Sequence, residues 1–191
     1  MIKCRAPERG FTLIELMVTM ALVAALMAVA IPSFKAFQRN SELSSFTNTL
    51  LAGINAARSE AMKRGMYAMV VPNDGVNWNS GWQVFVDKDR SQNYLAANDI
   101  SVLKTDTPPS YLTISGNGTA TGATPYIMFD ASGYSKTKTG GFGALTFTIA
   151  RNDVTANEQN EQTRRAVISS TGRVRICKPS TDSTCTTSAT Q

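Results

Sequence analysis

Residues 10–31 read GFTLIELMVTMALVAALMAVAI, and the interpretation of the whole chain turns on this stretch. From Phe11 to Ile31 only Thr12, Glu15 and Thr19 interrupt a run of apolar side chains. Wound as an α-helix, the run spans ~31 Å, about the thickness of one hydrocarbon core. Lys3, Arg5 and Arg9 precede it, so the short leader is expected to stay on the cytoplasmic side and the bulk of the chain to face outward. Two ordinary explanations compete. Ala28-Val29-Ala30 has the small-x-small form of a secretory cleavage site, and the run also suits a plain membrane anchor. Neither accounts for Glu15. A carboxylate inside such a segment costs roughly 2.5–3.5 kcal/mol on insertion scales, so it calls for a partner.

Helical periodicity continues past Pro32. Leu43, Phe46, Leu50, Ile54, Ala57 and Ala61 recur at steps of three and four, with Arg39, Glu42, Asn48 and Arg58 elsewhere on the surface. Lys63 and Arg64 before Gly65 form a stop signal. The spacing predicts one long helix from about Phe11 to Arg64, bent near Pro32. From Tyr67 onward the chain changes to short β-rich runs. The expected strands are Tyr67–Val71, Trp82–Val86, Ile100–Leu103, Tyr111–Ile114, Tyr126–Phe129, Leu145–Ile149, Arg165–Ser169 and Arg173–Cys177. Pro72-Asn73-Asp74-Gly75, Pro108-Pro109, Gly116-Asn117-Gly118 and Gly140-Gly141 break them. The layout is α+β, a long N-terminal helix laid on an antiparallel sheet. The Ser/Thr-rich end is expected to be mobile after Cys185.

Composition narrows the function. The 191 residues suffice for one domain with a real core, and 42% hydrophobic against 17% charged residues fits a folded protein. The formal charge of +5 permits contact with nucleic acid or anionic lipid without demanding it. There is no histidine, which removes the commonest general base and metal ligand. No paired carboxylates stand out as an acid/base couple, so neither catalytic residues nor a cofactor or metal is expected. Asp87-Lys88-Asp89 lacks the further oxygen ligands of a calcium loop and reads as a polar turn. Gly140-Gly141-Phe142-Gly143 lacks a phosphate-loop lysine and reads as a turn. Trp78 and Trp82 could stack on bases, but Trp82 opens an apolar strand and is better placed in the core.

Gly10-Phe11-Thr12-Leu13-Ile14-Glu15 resembles the prepilin peptidase site shared by type IV pilins and type II secretion pseudopilins. The resemblance implies cleavage after Gly10, N-methylation of Phe11 and retention of Glu15. It divides the chain into a leader (1–10), a transmembrane or filament-core helix (11–31), its amphipathic continuation (32–65) and a β-rich periplasmic domain (66–191). Removing the leader lowers the charge to +3 and takes Cys4 with it. Cys177 and Cys185 are then left to close a small loop worth ~2.5 kcal/mol, as suits a periplasmic or surface protein; the alternative is two free thiols in a loose tail. A new ammonium on Phe11, four residues from Glu15, would let the carboxylate of one subunit neutralise the terminal amine of its neighbour. Within the group the likeness is greatest to GspH/FimT-type subunits, through Ala57-Arg58-Ser59-Glu60-Ala61, Gly81-Trp82-Gln83-Val84-Phe85 and Gly172-Arg173-Val174-Arg175.

In a strand, Arg173 and Arg175 project from one face, ~6.6 Å apart, while Val174 and Ile176 point to the other. That step is similar to the spacing of phosphates along a nucleic-acid strand, and the guanidinium fork suits phosphate. FimT-like minor pilins are associated with DNA capture in natural transformation through a C-terminal Gly-Arg-x-Arg pattern. The resemblance therefore implies a sequence-independent DNA site at Gly172, Arg173 and Arg175, with Arg164, Arg165 and Lys178 nearby. The plain reading of the same residues is a solvated strand whose arginines keep an edge soluble. The expected partners are other major and minor pilin subunits, prepilin peptidase, the inner membrane before assembly, and DNA. Two further roles share the leader and helix: a tip-complex subunit that primes assembly without binding DNA, and a GspH-like pseudopilin of a type II secretion system.

Overall fold

The computed structural model describes residues 10–188; residues 1–9, where the leader is expected, and residues 189–191 lie outside the described residues. The chain divides into two compact units between Ser41 and Glu42, and one helix, α1 (Leu13–Arg64), contributes to both.

In the first unit the helix begins two residues later than the apolar run. The reason is Thr12, which acts as its N-cap. The Thr12 hydroxyl accepts from the Glu15 backbone N–H at 3.3 Å, and the Glu15 carboxylate accepts from the Thr12 N–H at 3.4 Å and from its hydroxyl at 3.3 Å. This reciprocal arrangement is a capping box, which satisfies donors that a helix start leaves open. Thr19 returns its hydroxyl proton to the Leu16 carbonyl at 2.9 Å, so its polar group needs no outside partner. The helix runs uninterrupted through Pro32, although a proline there leaves one backbone carbonyl without its usual donor. Every side chain from Phe11 to Gln38 is exposed. The helix is long and apolar enough to cross a membrane.

In the second unit the same helix buries one face. Leu43, Thr47, Leu50, Gly53, Ile54, Ala57 and Ala61 are inside, and Phe46 stands edge-on to the Trp82 ring at 5.3 Å. The helix ends at Gly65, whose φ of +66° is easy only for glycine. There the Met66 N–H reaches back to the Ala61 carbonyl at 3.2 Å, the long bond of a Schellman end.

Eight strands follow: β1 (Tyr67–Pro72), β2 (Trp82–Asp87), β3 (Ile100–Thr105), β4 (Leu112–Gly116), β5 (Ile127–Phe129), β6 (Leu145–Arg151), β7 (Thr163–Ile168) and β8 (Val174–Cys177). Each lies within two residues of its expected position. They form two sheets rather than one, in orders β3-β2-β1-β5 and β4-β6-β7-β8, with every pairing antiparallel. The helix face and the inner faces of both sheets share one core, including Val70, Trp82, Val84, Phe129, Ile114, Phe147, Ile149 and Ile168. Trp78 belongs to it too: its indole donates to the Ala120 carbonyl at 2.9 Å and its ring meets Phe147 at 4.7 Å. Both tryptophans are therefore core groups. Behind the first sheet, Met69, Phe85 and Met128 form a smaller cluster with Tyr94 and Tyr126.

Candidate functional site

The arginine pair expected to carry function belongs to the β7–β8 hairpin. Its turn is tied by Gly172 N–H to the Ser169 carbonyl (2.9 Å) and Ser169 N–H to the Arg173 carbonyl (3.0 Å). Gly172 has φ of +78°. A β-carbon there would fall 1.9 Å from the Gly133 carbonyl oxygen, and that same oxygen accepts from Arg58 Nε at 3.0 Å. Helix, β5–β6 loop and hairpin turn thus meet at one carbonyl. Gly172 is buried and serves this contact.

The register sorts the cations. Arg175 lies opposite Val167, and Arg165 opposite Cys177, so these four share the outer face of the second sheet. Val174 and Ile176 pack on the main core, as alternation predicts. Arg164 leaves β7 on the other side from Arg165. It donates to the carbonyls of Glu161 (2.9 Å) and Thr163 (3.0 Å), and burial lowers its pKa from the usual guanidinium value.

Arg173 is exposed. Arg175 is half-buried: Nη1 meets Thr184 Oγ1 at 3.1 Å and Asp182 at 3.4 Å, and Nη2 donates to the Thr184 carbonyl at 3.3 Å. The Asp182 carboxyl is held below the ordinary aspartate value, first by hydrogen bonds from Thr184 and then by Arg175. These partners sit in the loop closed by the Cys177–Cys185 disulfide, whose Cα atoms are 5.7 Å apart. Arg165 donates to the Cys185 carbonyl, and Lys178 pairs with Glu161. So of the six expected residues, Arg173 and Arg175 stand together, Arg165 and Lys178 brace the disulfide loop and its neighbour, Arg164 faces away, and Gly172 is structural.

What the arginines share is a cleft of about 290 Å³ lined by Val167, Ser169, Ser170, Thr171, Arg173 and Arg175. Its three hydroxyl residues were not singled out from the sequence, although Ser169-Ser170-Thr171 directly precedes the glycine. Hydroxyls and arginines together suit phosphate oxygens, which accept hydrogen bonds from both.

The acidic turn is a different feature. Asp87, Asp89 and Asp99 bring carboxylate oxygens within 4.8 Å of one another. They accept backbone N–H groups of their own loop: Ser91 and Gln92 on Asp87, and Lys88 and Leu95 on Asp99. Arg90 and Gln92 adopt positive φ within it. Burial, helped by Asp99, pushes the Asp87 carboxyl up. The arrangement ties down an unusual loop.

Comparison with known proteins matches both parts of the chain. Residues 47–172 match the family described as type II transport protein GspH, and residues 5–31 match the prokaryotic N-terminal methylation motif. The chain is 42% identical over 61 residues to the type IV major pilin protein PilA of Myxococcus xanthus (strain DK1622). That segment covers 32% of this chain and 28% of PilA, so the match spans under a third of the relative's length. The type IV minor pilin FimU of Pseudomonas aeruginosa has the same fold: TM-score 0.54 at 23% identity, over 75% of this chain and 94% of FimU. The minor pseudopilin EpsH from the type 2 secretion system of Vibrio cholerae aligns over 72% of this chain and 94% of its own, at 17% identity and a TM-score of 0.42.

Proposed function

This chain belongs to the family of the type II transport protein GspH, and on that premise we propose that it is a minor type IV pilin whose C-terminal hairpin holds DNA. In this reading prepilin peptidase cuts after Gly10 and the helix from Phe11 anchors the subunit in the inner membrane. The globular unit faces the periplasm, and the subunit then enters a pilus with other pilins. Arg173 and Arg175 contact phosphates without reading bases, as uptake of arbitrary DNA in natural transformation requires. The subunit builds and binds; it is not an enzyme.

One observation carries the DNA reading. Arg173 is exposed at a hairpin turn beside a cleft that adds Arg175 and three hydroxyl residues. A few phosphate contacts give a dissociation constant of roughly 10⁻⁴–10⁻⁶ M that weakens steeply with salt. A second reading, a pseudopilin that serves secretion and leaves DNA alone, draws on another fact. The family that residues 47–172 match is described as a type II transport protein.

The test uses the full chain in detergent and a labelled duplex. Binding should be salt-dependent, and Arg173→Gln with Arg175→Gln should weaken it across sequences and lower the salt slope by about one per lost contact. Arg173 should account for more of the loss, because Arg175 is already engaged by Asp182 and Thr184. Unchanged binding by the double variant retires the site. No salt-dependent binding by the native chain would favour the secretion reading.

A further inference from the structure

The β5–β6 loop carries two aromatic side chains that the fold leaves in water. Phe142 is 63% exposed and Tyr134 42%; their ring centroids are 5.7 Å apart at 69°. Among the described residues from 42 onward, no other large apolar side chain is as exposed as Phe142. Lys136 places its ammonium 3.9 Å from the Phe142 centroid and is steadied by Asp130 at 3.7 Å. The support is firm. Lys136 bridges to Phe142 across the loop, and Thr137 N–H to Gly141 and Gly143 N–H to Ser135 close it, each at 2.9 Å. Phe142 therefore rides on a hydrogen-bonded turn.

This turn is fastened to the arginine hairpin. Ser135 N–H donates to the Ser170 carbonyl at 3.1 Å, and the Gly133 carbonyl is the oxygen that presses on Gly172. Tyr134 lies between those two attachment points along the chain, and Phe142 is the bridge partner of Lys136, two residues further on. The loop that carries the aromatic pair is thus anchored on the turn that leads into Arg173.

Exposed rings beside cations are the composition of a base-stacking platform. In a duplex the base faces are already stacked on one another, and a protein meets edges and phosphates. In a single strand the faces are free. We infer that the hairpin site takes single-stranded DNA in preference to duplex, with Arg173 and Arg175 on phosphates and Phe142 and Tyr134 stacked against bases. The inference rests on the phosphate-binding reading of Arg173 and Arg175 and adds the form of the ligand.

The experiment measures fluorescence anisotropy on the full chain in detergent. The probes are an oligothymidylate of about 20 nucleotides and a duplex of the same length, at one low salt concentration. The native chain should bind the single strand more tightly. Phe142→Ala should lower the ratio of single-strand to duplex affinity about tenfold, and Phe142→Trp should keep it. Far-UV circular dichroism on each variant checks that the fold is intact. A native ratio near one, or a ratio unmoved by Phe142→Ala in a folded variant, overturns the single-strand preference and leaves the phosphate site standing. Absence of salt-dependent binding to either probe overturns both.

Discussion

Replacing Gly172 by alanine should destabilise the globular unit far more than its place in a hairpin turn suggests. The native φ of +78° is left-handed, and an L-residue there costs roughly 1–2 kcal/mol. The added methyl would also lie 1.9 Å from the Gly133 carbonyl oxygen, where backbone rather than a flexible side chain must yield. Moving that oxygen stretches its 3.0 Å bond from Arg58 Nε, a charge-assisted contact worth about 1.5–3 kcal/mol. Together the loss is ~3–5 kcal/mol, a large fraction of the 5–15 kcal/mol that holds a typical domain. Gly140 is the internal control, because its φ is +90° but no atom lies within 4 Å of the added carbon. Gly140→Ala should therefore cost only the conformational ~1–2 kcal/mol. Urea unfolding of the full chain in detergent, followed by tryptophan emission, reads the difference. Trp78 and Trp82 both sit in the core of the unit, so their signal reports on it. Equal losses for the two variants would refute the three-way contact at Gly133.

The role of Glu15 can be divided between its local bonds and its charge. Glu15→Gln preserves a capping box with Thr12 and removes the charge, whereas Glu15→Leu removes both. Both variants should insert in the membrane and neither should reach the sheared pilus fraction; normal incorporation of the glutamine variant would mean that capping alone suffices. Exchanging Cys177 and Cys185 for serine opens a loop with a sequence separation of 8 and should lower unfolding free energy by ~2.5 kcal/mol in the same urea assay. An unchanged midpoint would show that the loop is held without the bridge.

Much of the fold could be read from residues in order. The strands were legible because apolar alternation and breakers such as Pro72-Asn73-Asp74-Gly75 are local signals. Gly65 marked the helix end for the same reason. The split into two sheets was not legible, since it depends on which distant strands pair: β1 takes β5, and β4 takes β6. Thr12-x-x-Glu15 has the pattern of a capping box, a local signal independent of the cost of a charge in lipid. Glu15 has an intrachain partner as well as a proposed neighbour. At the hairpin, alternation placed Arg175 opposite in sense to Val174 and Ile176. It could not show that Arg175 meets Asp182 and Thr184 or that Arg165 reaches Cys185, because those contacts follow from register and the disulfide loop. The reason for Gly172 was equally hidden, lying in residues far away along the chain.

The shared core has a practical consequence for anyone cutting this protein down. Leu43, Leu50, Ile54, Ala57 and Ala61 form one wall of it, so a fragment trimmed to the β-rich residues alone would expose the apolar surfaces that wall covers. Such a fragment is an aggregation hazard. The natural scissors line runs ahead of Glu42, and a soluble version should carry its half of the helix along.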